Sequence, residues 1–95
     1  MRVAIPYTLP REEVRRRLRA RTGEIFAGGM AEVTAVWQNE DRMDLTIAAM
    51  GQSLAGHVDI EEAELAFVVD LPPALSFFEP MIAGRIKEKG TKLLA

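Results

Sequence analysis

Downstream of Gly28 and Gly29, apolar and polar residues alternate with period two through four consecutive segments, the pattern of strands buried on one face only. Ala31, Val33, Ala35 and Trp37 begin one face, and Met43, Leu45, Ile47 and Ala49 continue it. Leu54, Gly56, Val58 and Ile60, then Leu65, Phe67, Val69 and Leu71, complete an expected core face. The other side collects Glu32, Thr34, Asp44, Thr46, Ser53, His57, Asp59, Glu64 and Asp70, and is assigned to water. Between these segments "QNEDR" at 38–42, "MGQ" at 50–52 and "IEEAE" at 60–64 are short and polar or glycine-bearing, as antiparallel hairpins require. The four strands read as a meander.

Ahead of the meander, Val3 and Ile5 alternate within residues 2–6, and Pro6 stops or edges that strand because it has no N–H for a ladder. Pro10 then opens a helix. Glu12 and Glu13 lie at the positive end of its dipole, and Arg15, Arg16, Arg17, Arg19 and Arg21 lie towards the negative end. Its inward stripe is thin, formed by Leu9 or Val14, Leu18 and the aliphatic carbons of Arg21, and Gly23 is the expected stop.

After the last strand comes "DLPPALSFFEPMI" at 70–82, where Pro72 and Pro73 turn the chain off the sheet. Two starts for the final helix fit this stretch. In one, Ser76 and Glu79 form a capping box, the helix begins at Phe77 and Pro80 lies in its first turn. In the other, a long helix begins at Pro73 and is kinked at Pro80. Either way Leu75, Phe78, Ile82, Ile86 and Leu93 trace the stripe that covers the sheet, with Phe77 and Met81 on its flank. A wide apolar arc over a curved sheet accounts for that flank; a cavity or a partner-binding edge is the alternative. The expected fold is α+β, ordered β-α-β-β-β-β-α, an antiparallel meander sheet with one face covered by two helices.

Ninety-five residues make one domain spanning 1–95, which buries roughly two-thirds of its unfolded surface. The absence of cysteine removes disulfides, thiolate metal sites and thiol nucleophiles, and fits a reducing cytoplasm. There is no apolar stretch of signal-peptide or membrane-spanning length. The net charge of −2 conceals segregation: residues 1–21 hold seven Arg against two Glu, residues 22–84 eleven acids against Arg42, and residues 85–95 four cations against Glu88.

Chemistry is sparse. His57 is the one histidine, placed on the water face near Asp44 or Asp59, and Ser53 is about 13 Å away along the same strand. No nucleophile and base pair up, no second histidine completes a metal set, and neither catalytic residues nor a cofactor are expected. "GQSLAGHV" has the glycine spacing of a phosphate loop, but His57 and Val58 replace its Lys-Ser/Thr and the segment reads as a strand. Gly51 suits a tight turn, and Gly56 either the close approach of a helix or a bulge. "REEVRRRLRAR" offers Arg15, Arg16 and Arg19 as electrostatic contacts to an acidic partner; the acidic sheet and the few aromatics argue against nucleic acid. Met30, Val36, Ala48, Ala55, Ala66 and Val68 make the water face apolar enough for a patch suited to homodimerisation, provided they are neighbours.

"MRVAIP", the Arg-rich "EEVRRRL", Trp37, "GQSLAG", "DLPPALSFFEPMI" and "KGTKLLA" together resemble the polyhydroxyalkanoic acid system proteins, small bacterial proteins encoded near genes for storage-polyester synthesis. The likeness spans nearly the whole chain, although Tyr7 stands where the family pattern leads one to expect His. It implies a non-enzymatic accessory protein of polyhydroxyalkanoate metabolism, in the cytoplasm or at storage granules. Its partner would be the granule surface or a granule protein, met by Phe77, Phe78 and Met81 or by the Arg-rich helix. The element order also resembles a shortened START-like helix-grip fold, which implies instead a small binder of an apolar acyl or hydroxyacyl ligand beneath the last helix.

Overall fold

The computed structural model describes residues 1–25, 32–49 and 51–95, with residues 22–25 and 49 as backbone only. Strand β1 (Arg2–Pro6) leads to helix α1 (Arg11–Ile25). Strands β2 (Glu32–Trp37), β3 (Arg42–Ala49), β4 (Gln52–Ile60) and β5 (Glu64–Val69) follow, then a 3₁₀ segment (Pro73–Phe78) running directly into helix α2 (Glu79–Leu94). The expected β-α-β-β-β-β-α order is present. The strand onset at Gly28 and Gly29, and the face assigned to Met30 and Ala31, lie outside the described residues.

All strand pairs are antiparallel and the sheet order is β1-β5-β4-β3-β2. The meander pairs neighbour with neighbour, while β1 crosses the sequence to lie beside β5, with Val3 opposite Phe67 and Ile5 opposite Leu65. Met1 extends that ladder: its amino group donates to the Val69 carbonyl at 3.1 Å and the Val69 N–H donates back to the Met1 carbonyl at 2.9 Å. The register aligns the expected core residues in rows. Ile5, Leu65 and Ile60 form one, and Val3, Phe67, Val58, Met43 and Trp37 the next.

Between this face and the helices lies the core, in which Phe67, Met43, Leu65, Val58, Val69, Val14, Leu18 and Ile86 are fully enclosed. α1 contributes Val14 and Leu18, with Leu9 half-buried ahead of it. Arg21 stays exposed, so its carbons do not extend the stripe. Nor does Gly23 stop α1, which runs on to Ile25. A glycine ends a helix by turning left-handed, and among the described residues only Gly51 has positive φ, at 77°, where it makes the β3–β4 turn.

Gly56 answers to a different constraint. A Cβ there would lie 2.6 Å from the Val68 carbonyl oxygen, so the close approach is that of the neighbouring strand, not of a helix.

On the water face two expectations change. Ala66 is buried, on a β5 paired on both sides, by β1 and β4, rather than open to water. Val36 and Val68 share a row but Asp44 and His57 stand between them, and Ala55 and Ala48 face Thr46 and Ser53. The apolar residues are thus dispersed rather than gathered into one patch. On the core side Ala35 is exposed, since β2 is the sheet edge.

Candidate functional site

The final helical stretch combines the two starts read from the sequence. It begins at Pro73, but as a 3₁₀ turn, and changes to α-helix at Glu79 so that Pro80 occupies the first α turn, where its missing N–H is harmless. Neither helical start carries a side-chain cap, so Ser76 and Glu79 do not form the capping box; the Glu79 backbone N–H instead donates to the Ser76 carbonyl.

From there α2 crosses the sheet with Ile82, Ile86, Gly90 and Leu93 inward. Gly90 allows the helix to settle on β1, for a Cβ at this position would collide with Ile5 Cδ1 and lie 3.5 Å from the Phe67 ring. The C-terminal end is held by α1: Arg17 donates to the carbonyl oxygens of Leu93 at 3.2 Å and Ala95 at 2.8 Å. A cation suits the last carbonyls of a helix, whose partial charge is negative.

Phe77 and Met81 point the other way. They are 72% and 64% exposed, and Met81 precedes Ile86 by five residues, which places it about 140° around the helix from that buried side chain. A wide arc over the sheet therefore does not account for them. The Phe77 and Phe78 rings lie 4.2 Å apart, centroid to centroid, and Phe78 is half-buried, linking the outer flank to the inner stripe. Gly84 follows on the same exposed side, and a Cβ there would meet nothing within 4 Å. This side of the stretch therefore carries two projecting apolar side chains, Phe77 and Met81, followed by Gly84 and the exposed Arg85.

The Arg-rich helix is largely engaged within the chain. Arg15, with only 18% of its side chain exposed, bonds the Glu40 carbonyl and sits 3.1 Å from Asp41, pinning α1 to the β2–β3 turn. Arg16 and Arg17 both bond Glu13, and these two cations hold the Glu13 carboxyl down to about 2. The Arg19 guanidinium lies 4.9 Å from the centre of the Trp37 ring, as a cation over an aromatic face. Of the three arginines expected to meet a partner, only Arg16 and Arg19 are exposed, and both already have a neighbour of matching chemistry.

His57 is half-buried, with Nε2 at 3.4 Å from Asp59. Asp59 in turn accepts two bonds from the Arg42 guanidinium at 2.7 and 3.0 Å, which lower its pKa below the usual carboxylate value. A carboxylate held by an arginine in this way is a weak orienting group for a general base. Tyr7 serves architecture: its hydroxyl donates to the Glu61 carbonyl and its N–H to that of Ala63, closing the β4–β5 turn. Among the described residues no group of acidic or histidine side chains is spaced to hold a metal ion, and no helix is long and apolar enough to cross a membrane. The chain matches no known protein family, no curated protein and no solved structure.

Proposed function

We propose that this chain is a non-enzymatic accessory protein of polyhydroxyalkanoate metabolism that acts at storage granules through the apolar flank formed by Phe77, Phe78 and Met81. The observation that carries this reading is the exposure of Phe77 and Met81 on the side of the helical stretch turned away from the sheet. The granule setting comes from the sequence resemblance, and the flank supplies a means of contact. An apolar polymer or a granule protein needs projecting apolar side chains, each of which contributes about 1.5–3 kcal/mol when fully buried. Two such anchors give a weak, reversible attachment. The Arg-rich helix is the poorer surface, because Arg15 and Arg17 are bonded to the rest of the chain. An acyl-binding site beneath α2 has less support, since Gly90 brings that helix directly onto Ile5 and Phe67.

Co-sedimentation with polyhydroxyalkanoate granules, native and stripped of protein, tests the proposal. The wild-type chain should pellet with at least one of them, and a folded Phe77→Asp, Met81→Asp double variant should stay in the supernatant. Equal pelleting of the two proteins would remove the flank from the mechanism, and absence of the wild type from both pellets would remove the granule.

A further inference from the structure

The two edges of the sheet are built differently. An edge strand aims the N–H and C=O of every second residue outward, where another strand can take them up. On β1 the N–H groups of Met1 and Tyr7 donate inward to Val69 and Ala63, so the outward set is Arg2, Ala4 and Pro6. Pro6 has no N–H and Arg2 is charged, and both oppose further pairing. On β2 the Gln38 N–H donates to the Arg42 carbonyl at 2.9 Å, in register with the β2–β3 pairs. Alternation then turns Thr34 and Val36 towards β3 and leaves the backbone groups of Val33, Ala35 and Trp37 aimed outward. Among the described residues no strand pairs with that outer side. β2 contains neither Pro nor Lys, pairs with β3 without a bulge, and buries none of its residues; Val36 is 54% exposed. It therefore lacks the devices that keep an edge from pairing.

We infer that two copies of this chain join β2 to β2, antiparallel, so that their five-stranded sheets become one continuous sheet. With a two-fold axis at Ala35, Ala35 faces itself and Val33 faces Trp37 of the other copy on the core side, while Thr34 faces Val36 on the water side. Outward-aimed residues then meet only one another, and the three pairs exchange about six N–H···O bonds. The strand is complementary to itself in this register. Its one charge, Glu32, falls opposite Gln38, and the other facing side chains are of the small, β-branched or aromatic kinds that suit cross-strand pairs. Moving the axis to Val36 would set Glu32 against Glu40 of the other copy, like charges directly opposite. Moving it to Thr34 would carry Trp37 beyond Glu32 of the other copy, where β2 begins. The contact is isologous and, with Pro6 on the far edge, it closes at two copies instead of extending into a fibre. The inference goes beyond the granule reading and uses none of the side chains assigned to granule contact.

Sedimentation velocity on the purified full chain, from micromolar to millimolar, gives the first test: a dimer that fills with concentration is expected, and a monomer throughout overturns the inference. Hydrogen exchange followed by NMR then locates the contact. As the dimer fills, exchange at the amides of Val33, Ala35 and Trp37 should slow by about tenfold or more, whereas Thr34 and Val36, already bonded to β3, should be protected at every concentration. A dimer in which those three amides exchange as in the monomer uses another surface and rejects the pairing. Ala35→Lys sets like charges opposite each other at the axis from a position that is exposed in the monomer, so it should weaken dimerisation by about tenfold or more while the chain stays folded; unchanged affinity overturns the inference. Met81→Ser should leave the dimer intact. Loss of the dimer in Met81→Ser but not in Ala35→Lys would move the contact to the helical flank and reject the edge. None of these measurements involves granules, so this inference and the granule proposal fail independently.

Discussion

The two halves of the last helical stretch obey opposite rules. From Ile86 to Leu93 each inward position is set by contact, with Ile86 and Leu93 buried, Gly90 fitted to Ile5, and Arg17 closing the end. From Phe77 to Gly84 the stretch is divided: Ile82 packs against the core, whereas Phe77 and Met81 point outward and the glycine is unconstrained by the fold. The C-terminal half is held by the fold, and the N-terminal half leaves two large apolar side chains exposed. An apolar residue on an amphipathic helix thus has two meanings, separated only by the side of the helix on which it falls.

Stability measurements can break this contrast. The largest effect is expected for Ile86→Ala, which opens a cavity and should cost about 2–5 kcal/mol in urea unfolding. Gly90→Leu forces side-chain atoms against Ile5 and Phe67 and should cost about 1–3 kcal/mol by overpacking. Gly84→Ala should act in the opposite direction and raise the stability of the monomer by up to about 1 kcal/mol, from helix propensity alone. Met81→Ser should change the unfolding midpoint of the monomer by no more than about 0.5 kcal/mol. If Met81→Ser costs as much as Ile86→Ala, the exposed half is part of the core and the distinction fails.

The subtlest effect appears only in pH dependence, at the end where α1 holds α2. Glu13, bonded by Arg16 and Arg17, has its pKa lowered from 4.5 to about 2. A depressed carboxylate contributes stability that is complete above the unfolded value and lost as pH falls through the folded one. That contribution is therefore present above about pH 4.5 and disappears by about pH 2. Glu13→Gln should flatten the fall of thermal stability across this window; an unchanged acid limb would mean the pair is too well solvated to matter.

Much of the fold was legible because a strand's period of two records its burial directly. The core rows through Val58, Phe67 and Met43, and the turn at Gly51, follow from alternation and from glycine's tolerance of positive φ. Less could be read where the signal was a single residue. Gly23 resembles a helix stop and lies within α1, since a lone glycine lowers helix propensity without ending a helix. The Ser76 and Glu79 spacing satisfies a capping pattern, but the segment takes a 3₁₀ path there and no cap forms. Arg17 was one of five similar arginines, and its place at the end of α2 depends on a contact between residues 76 apart in the chain.

By itself the sequence determined the class, the element order and the face of each central strand, because these depend on neighbours within a few residues. Only the tertiary structure decided that β1 lies beside β5, that Arg15 and Arg17 are held inside the molecule, and that Phe77 and Met81 face away from the sheet. Those outcomes rest on which helix meets which strand and at what rotation. Such choices are made by packing between distant segments, and no periodicity within one segment records them.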